Sequence, residues 1–320
     1  MHKQVGQRGF VDQLLEQRSA RKAHLARIAS LIDWAAIDRL AAPIYASQTG
    51  RPSYPPLVMI KALLLAQWYG LSDPGLEEAL DDTLSFRAFA GLSLQDAVPD
   101  HSTICRFRQQ LQQHNLSEAI FCEVGRQLEA RNLIVKRGTL IDATLIEAQA
   151  AKPGFDQGRA ATSTVDKDAD WTRKAGKSHF GYKAHIAVDQ HSGLIRKAIL
   201  TPASVNDSEV ADALILGDEG AVYADKAYEQ RGRRQRLKGL GIKDRIMHRS
   251  HKNQTGLPRW QRRRNRLIAP IRAAIERVFG TLKRSYDYRR VRFFDLARNA
   301  VDLNLLCVAF NLRKAAAMWG

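Results

Sequence analysis

Apolar residues recur at helical intervals over the first 135 positions and then shift to the short runs of strands. Between 19 and 46, Leu25, Ile28, Leu31, Ile32, Ala35, Ala36 and Leu40 fall in threes and fours, the rhythm of one buried helical stripe. The three prolines of "GRPSYPP" end it, because proline lacks the N–H and clashes with the preceding turn of a helix. "PPLVMIKALLLAQWYGLS" restarts as a largely buried helix, and "DPGLEEALDDTLSFRAFAGLS" follows with Pro in its first turn and Gly at its end. In "VPDHSTICRFRQQLQQHN", Asp100 or Ser102 caps a helix with Arg106 and Arg108 near its start. Short helix, turn and capped helix give the outline of a helix-turn-helix, which makes Arg106 and Arg108 candidate DNA contacts.

From residue 136 the period changes. "GTLIDATLIEA", "KAHIAVDQHSGLIRKAILTPA" and "GAVYADKAYE" are β-rich runs, the second folded at "HSG" into a hairpin. "DSEVADALILGD" and "RGRRQRLKGLG" read as helices, "IKDRIMHR" as a short strand. Two long helices, about 262–286 and 295–317, close the chain. This order predicts an α/β fold: a helical N-terminal domain over 1–135, for DNA binding or oligomerisation, then a domain over 136–320 built on one mixed sheet with C-terminal helices. The segment 148–178 fits no period and reads as a long, flexible surface loop, with Asp166, Asp168 and Asp170 solvated in it.

Composition narrows the class. With 45% hydrophobic residues and 10 prolines in 320 positions, the chain is globular rather than disordered. Its apolar runs, Ala62 to Ala66 among them, fall far short of the roughly 20 residues that span a bilayer. No basic-then-apolar leader opens the sequence, so a cytoplasmic, nucleoid-associated protein without a membrane partner is expected. Cys105, Cys122 and Cys307 are too scattered for a disulfide framework or a zinc site and read as buried thiols. The net charge of +17 is unevenly spread: 14 Lys/Arg and 14 Asp/Glu lie in 1–135, 11 and 13 in 136–225, and 25 and 6 in 226–320. Positive charge concentrated in the last third is the footprint of a surface that neutralises phosphates.

Three acids stand out against this background. Asp142 interrupts an apolar strand and Asp225 closes another, places that an ionised carboxylate occupies when it is paired or holds a cation. On a helix starting near 262, Ile271, Ile275, Val278, Phe279 and Leu282 form the buried face. Arg272, Glu276 and Lys283 share the bordering sector, about 100° to 140° from Ile271. Glu276 is therefore placed to lean over the sheet edge where Asp142 and Asp225 end. Three hard oxygen ligands suit Mg²⁺ or Mn²⁺. Two such ions about 4 Å apart serve phosphodiester displacement. Each acid alone has a plain structural role: a hydrogen-bonded strand acid, a strand-end cap, an i,i+4 partner of Arg272. Together, beside the basic tail, they read as a site. Asp207 lies near enough in the pattern to approach it.

"LIDATLIEA", "GYKAHIAVD", "ADKAYE" and above all "RAAIERVFGTLKR" resemble the DDE transposases of bacterial insertion sequences, the group labelled family five with its relative family four. "PPLVMIKALLLAQWYGLSD" and "PDHSTICRFRQQL" resemble the N-terminal helical domain of that group, so the likeness covers most of the chain. Its C-terminal motif is Tyr, two residues, Arg, three residues, Glu, six residues, Lys; Arg272, Glu276 and Lys283 match, and Ala269 replaces the Tyr. The resemblance implies an RNase H-like catalytic core with Asp142, Asp225 and Glu276 as catalytic residues holding two Mg²⁺ or Mn²⁺ ions. It implies cleavage at terminal inverted repeats, transfer of the freed 3′-hydroxyl into target DNA, and a homodimer in a synaptic complex. Arg272, Lys283, Arg284, Arg106, Arg108 and Lys183 are the residues read as DNA-binding.

Two rivals share these features. A plain metal-dependent nuclease has the acids without strand transfer, and a domesticated, non-catalytic regulator has the helical domain and basic tail without use for the acids. An RNA-binding protein is disfavoured by the lack of an aromatic stacking motif, although Tyr286, Tyr288, Phe293 and Phe294 are available to stack on a frayed base.

Overall fold

The computed structural model describes residues 2–7, 9, 23–45, 52–156, 159–160, 163–174, 176–250 and 256–319. The chain divides into two units, one of Met1–Ala130 with Asn304–Gly320 and one of Arg131–Leu303.

The first unit is helical: α1 (Ala23–Leu31), α2 (Trp34–Ala41), α3 (Pro56–Tyr69), α4 (Asp73–Asp82), α5 (Leu84–Ala90), α6 (His101–Gln113) and α7 (Leu116–Ala130). The long helix expected across 19–46 is broken. Asp33 takes an extended conformation and its carboxylate accepts the Ala35 N–H, so it caps a second helix rather than continuing the first. Helix α3 is apolar on all sides, as a central helix must be; Leu63, Leu64 and Leu65 are at most 1% exposed. The end of the final helix, α12 (Leu296–Trp319), belongs to this unit. The Trp68 indole donates to the Ala309 carbonyl and Asn304 donates to Ser117, which ties those last turns to α3 and α7.

The second unit is built on β1 (Thr139–Glu147), β4 (Asp170–Lys174), β5 (Lys177–Asp189), β6 (Ile195–Pro202), β7 (Ala221–Ala224) and β8 (Lys243–Ile246), with the short pair β2 (Phe155–Asp156) and β3 (Arg159–Ala160) apart. β1 runs antiparallel to β5, β5 to β6, and β7 and β8 lie parallel to β1. Leaving out β4, the strands from edge to edge are the third, second, first, fourth and fifth in chain order, the RNase H-like arrangement. The hairpin turn is locked by the buried Asp189 carboxylate, which accepts from Lys136, His191 and Ser192 N–H groups. At Gly181 a Cβ would come within 2.3 Å of the Ile146 carbonyl oxygen and 2.5 Å of the Ala148 nitrogen, so only glycine lets β5 pass β1 there.

The segment 148–178 is more ordered than an aperiodic loop. β4 pairs with the start of β5. Asp166, expected in solvent, is 1% exposed and accepts the Tyr182 hydroxyl at 2.5 Å and the Ala169 N–H. The residues of that segment at 157, 158, 161, 162 and 175 lie outside the described ones. One face of the sheet packs on α8 (Asp207–Leu214) and α9 (Arg231–Gly239), where Ile141, Ala187, Leu214, Val222, Tyr228 and Leu237 are nearly sealed from water. Burying each of the larger aliphatic side chains Ile141, Leu214, Val222 and Leu237 contributes about 1.5–3 kcal/mol. α10 (Arg259–Arg272) and α11 (Ala274–Ser285) contact β7 and β1. The single helix expected over 262–286 is thus two, meeting at Ala273 three residues after Pro270, whose missing N–H weakens the ladder.

Candidate active site

Strand register places the two aspartates. β1 and β7 are parallel, with Thr139 beside Val222 and Leu140 beside Tyr223. Carrying that step forward brings Asp142 level with Asp225, on the side of the sheet opposite Ile141 and Val222. Asp225 is the first residue past the strand, and its carboxylate accepts the Lys226 N–H to cap the 3₁₀ turn Lys226–Tyr228. Asp142 accepts the Ala143 N–H at 2.9 Å. Burial pushes the Asp142 carboxyl above its usual range; the Asp225 charge adds to this, while the Ala143 hydrogen bond and Arg272 oppose it.

Arg272, the last residue of α10, reaches the acids with both prongs. One guanidinium nitrogen donates to Asp142 at 2.8 Å and the other to Glu276 at 2.9 Å. Glu276 sits in the first turn of α11 with 63% of its side chain exposed. Asp142 and Glu276 are therefore joined across one guanidinium rather than side by side. Among the described residues no three Asp, Glu, His or Cys side chains stand close enough to share one ion. The donor chemistry nevertheless fits a hard cation. Asp142 is an acid whose ionisation is opposed by burial and by a like charge, a position that calls for positive charge. In this structure Arg272 supplies it.

Lys283 lies two turns further along α11 and donates to the Leu145 carbonyl at 2.8 Å. That carbonyl faces the edge of β1 that β7 has left; beyond it, Glu147 pairs with Arg289 and Val291. Burial lowers the Lys283 pKa, and the nearby Lys174 and Arg289 lower it further. These three cations and His179 line a cavity of about 590 Å³ at the far end of β1, with Glu147 on its rim.

The remaining expected contacts divide. Arg284 and Arg106 are exposed. Arg106 leans back on Ser102, inside a groove of about 570 Å³ lined by Tyr54, Val98 and Phe107. Arg108 does not reach the surface: it is 6% exposed and grips Asp73 with two hydrogen bonds at 2.7 and 2.9 Å. Helical geometry explains this, since Ile104, Phe107, Arg108 and Leu111 form the buried face of α6. Lys183 is also turned inward, donating to the Val205 carbonyl and pairing with Asp207 at 2.9 Å. The thiol expectation needs correction as well: Cys105 and Cys122 are exposed and Cys307 alone is buried.

Tyr228 was not singled out by sequence. Its side chain is 1% exposed and its hydroxyl has no hydrogen-bond partner among the described residues. Burial raises its pKa, and the charges of Asp142, Asp207 and Asp225 raise it further; the ring belongs to the core of Ile141, Val222 and Leu237 on the face of the sheet that meets α8 and α9. His185 shares that interior: its Nε2 meets the Thr201 hydroxyl at 2.9 Å, and burial lowers its pKa to about 4, keeping it neutral. The signal for Tyr228 was its place three residues after Asp225, one 3₁₀ turn on.

The strand order defines an RNase H-like core. The chain belongs to the family described as "Transposase DDE domain", whose model matches residues 134–312, and a model described as "Transposase domain (DUF772)" matches residues 13–110. Among solved structures, a piggyBac transposase synaptic complex with hairpin DNA, seen by cryo-EM, is similar at 10% identity over 91% of this chain and 73% of that one, with a TM-score of 0.44. The protein is a DDE transposase that binds and processes DNA, and its family depends on divalent metal ions. No helix among the described residues is long and apolar enough to cross a membrane.

Proposed function

We propose that this is an insertion-sequence transposase of the family-five type that cuts DNA at terminal inverted repeats and joins the freed 3′-hydroxyl to target DNA. The carrying observation is Arg272 joining Asp142 to Glu276, with the β1–β7 register, carried two residues forward, setting Asp225 level with Asp142. In this reading Asp142, Asp225 and Glu276 hold two Mg²⁺ or Mn²⁺ ions. When bound, such ions activate the attacking oxygen and stabilise the leaving one. Arg272 holds Asp142 and Glu276 in register, and its guanidinium is also suited to a backbone phosphate. Lys283 anchors α11 to β1 and adds charge where the strand must pass. Arg284 and Arg106 serve as exposed phosphate contacts. The expected assembly is a homodimer that synapses two transposon ends.

Incubation with Mg²⁺, pre-cleaved transposon ends and plasmid separates the readings. Joined products that disappear with EDTA and with Asp142→Asn are expected. Cleavage without joining would favour a plain nuclease. DNA binding with neither would favour a regulator.

A further inference from the structure

Helix α10 is a basic helix with two different faces. Taking Arg259 as zero and advancing about 100° per residue, Arg262, Arg263 and Arg266 fall at about 300°, 40° and 340°. The four arginines thus share a sector about 100° wide, and all four are exposed. Trp260 and Leu267 flank them, 59% and 65% exposed. The opposite side faces the protein. Ile268 is buried, Asn265 exchanges hydrogen bonds with the His248 backbone, and Arg264 pairs with Asp244. Among the described residues none of the four outer arginines meets a carboxylate within 4.0 Å, whereas Arg233, Arg234, Arg264 and Arg272 are all paired.

Like charges three and four apart on a helix repel one another, and solubility does not call for a stripe of one sign. Such a stripe is complementary to a regular row of anions. From Arg259 to Arg266 it runs about 10 Å, close to three nucleotide steps of one strand at about 3.4 Å each. An exposed indole beside guanidinium groups adds a flat apolar surface suited to sugar or base.

We propose that the outer face of α10 is a phosphate rail: Arg259, Arg262, Arg263 and Arg266 grip the backbone of the DNA, and Trp260 packs against it. The rail ends where Arg272, at the end of the same helix, turns inward to Asp142. It thereby leads a strand to the acids. This rests on the protein being a DNA transposase.

The test is fluorescence anisotropy of the full-length protein with a labelled duplex carrying the element's own inverted repeat, titrated at several KCl concentrations. Each phosphate contact contributes about 0.9 to the slope of log K against log salt. Replacing all four arginines by glutamine is expected to reduce that slope by about 3 to 4 and to weaken binding at least 100-fold at low salt. The double variant Arg259→Gln with Arg266→Gln is expected to lose about half as much slope, and circular dichroism establishes that each variant is folded. Trp260→Phe should abolish a part of the DNA-induced quenching of tryptophan fluorescence. An unchanged slope in folded variants would overturn the rail, even where the wild type joins ends to plasmid. A reduced slope in the variants with no joining by the wild type would uphold the rail and overturn the transposition reading instead.

Discussion

Arg106 and Arg108 are two residues apart on α6 and do opposite things. Arg108 is buried with its two donors on Asp73, so Arg108→Ala leaves a partly buried carboxylate without its partner. We expect chemical denaturation to show a loss of about 3 kcal/mol, the low end for breaking a buried pair. Arg106→Ala should leave stability within about 0.5 kcal/mol, as exposed substitutions do. A stable Arg108→Ala protein with weakened DNA binding would reverse the assignment. Sequence alone marked both arginines alike, because residue type and nearness to a helix start do not say which way a side chain points. Once Ile104, Phe107 and Leu111 are known to face inward, Arg108 must follow them. Lys183 and Asp166 are similar cases, polar residues assigned to the surface by composition that tertiary contacts draw inside. Asp142 and Asp225 stood out in the sequence for the converse reason: one interrupts an apolar strand and the other closes one, places where an acid needs an explanation.

At the scale of elements, the strands and most helices follow from periodicity, and the departures have local causes. Asp33 starts a new helix by capping it, and Pro270 lies just before the division of α10 from α11. β4 was hidden because "DWTRK" is short and polar; it is held by pairing to β5 and by the Asp166–Tyr182 contact, neither of which is a local signal. The cap of α6 is stated by sequence and seen in the structure. Asp100 accepts the Thr103 N–H at 2.6 Å and the Ser102 hydroxyl at 2.7 Å, and these bonds lower its pKa to about 2. Asp100→Ala should cost about 1 kcal/mol at neutral pH. Because the folded-state pKa is depressed from 3.8, the ionised cap stabilises the fold above pH 3.8 and the benefit is lost as pH falls toward about 2. Melting curves of wild type and variant should therefore converge over that interval. A gap that stays constant down to pH 2 would show that the carboxylate charge plays no part.

For the molecule as a whole, the charge distribution matches its two units. The mostly neutral helical unit carries its own buried core, while the excess of 25 Lys/Arg over 6 Asp/Glu in 226–320 falls largely on α9, α10 and α11 of the sheet unit. The site uses this surplus in two ways: Arg272 and Lys283 point inward at the acids and at β1, and the outer arginines of α10 face solvent. What the sequence could not reveal is that Glu276 meets Asp142 through a guanidinium. A helical wheel gives direction around one helix, and here the wheel is cut at Ala273.

The central claim is that Asp142, Asp225 and Glu276 together hold catalytic cations, and Mn²⁺ binding to the protein–DNA complex, counted by electron paramagnetic resonance, tests it most directly. We expect two Mn²⁺ per wild-type active site, with at least one lost in each of Asp142→Asn, Asp225→Asn and Glu276→Gln while DNA affinity is kept. Full Mn²⁺ occupancy in Glu276→Gln would contradict the account.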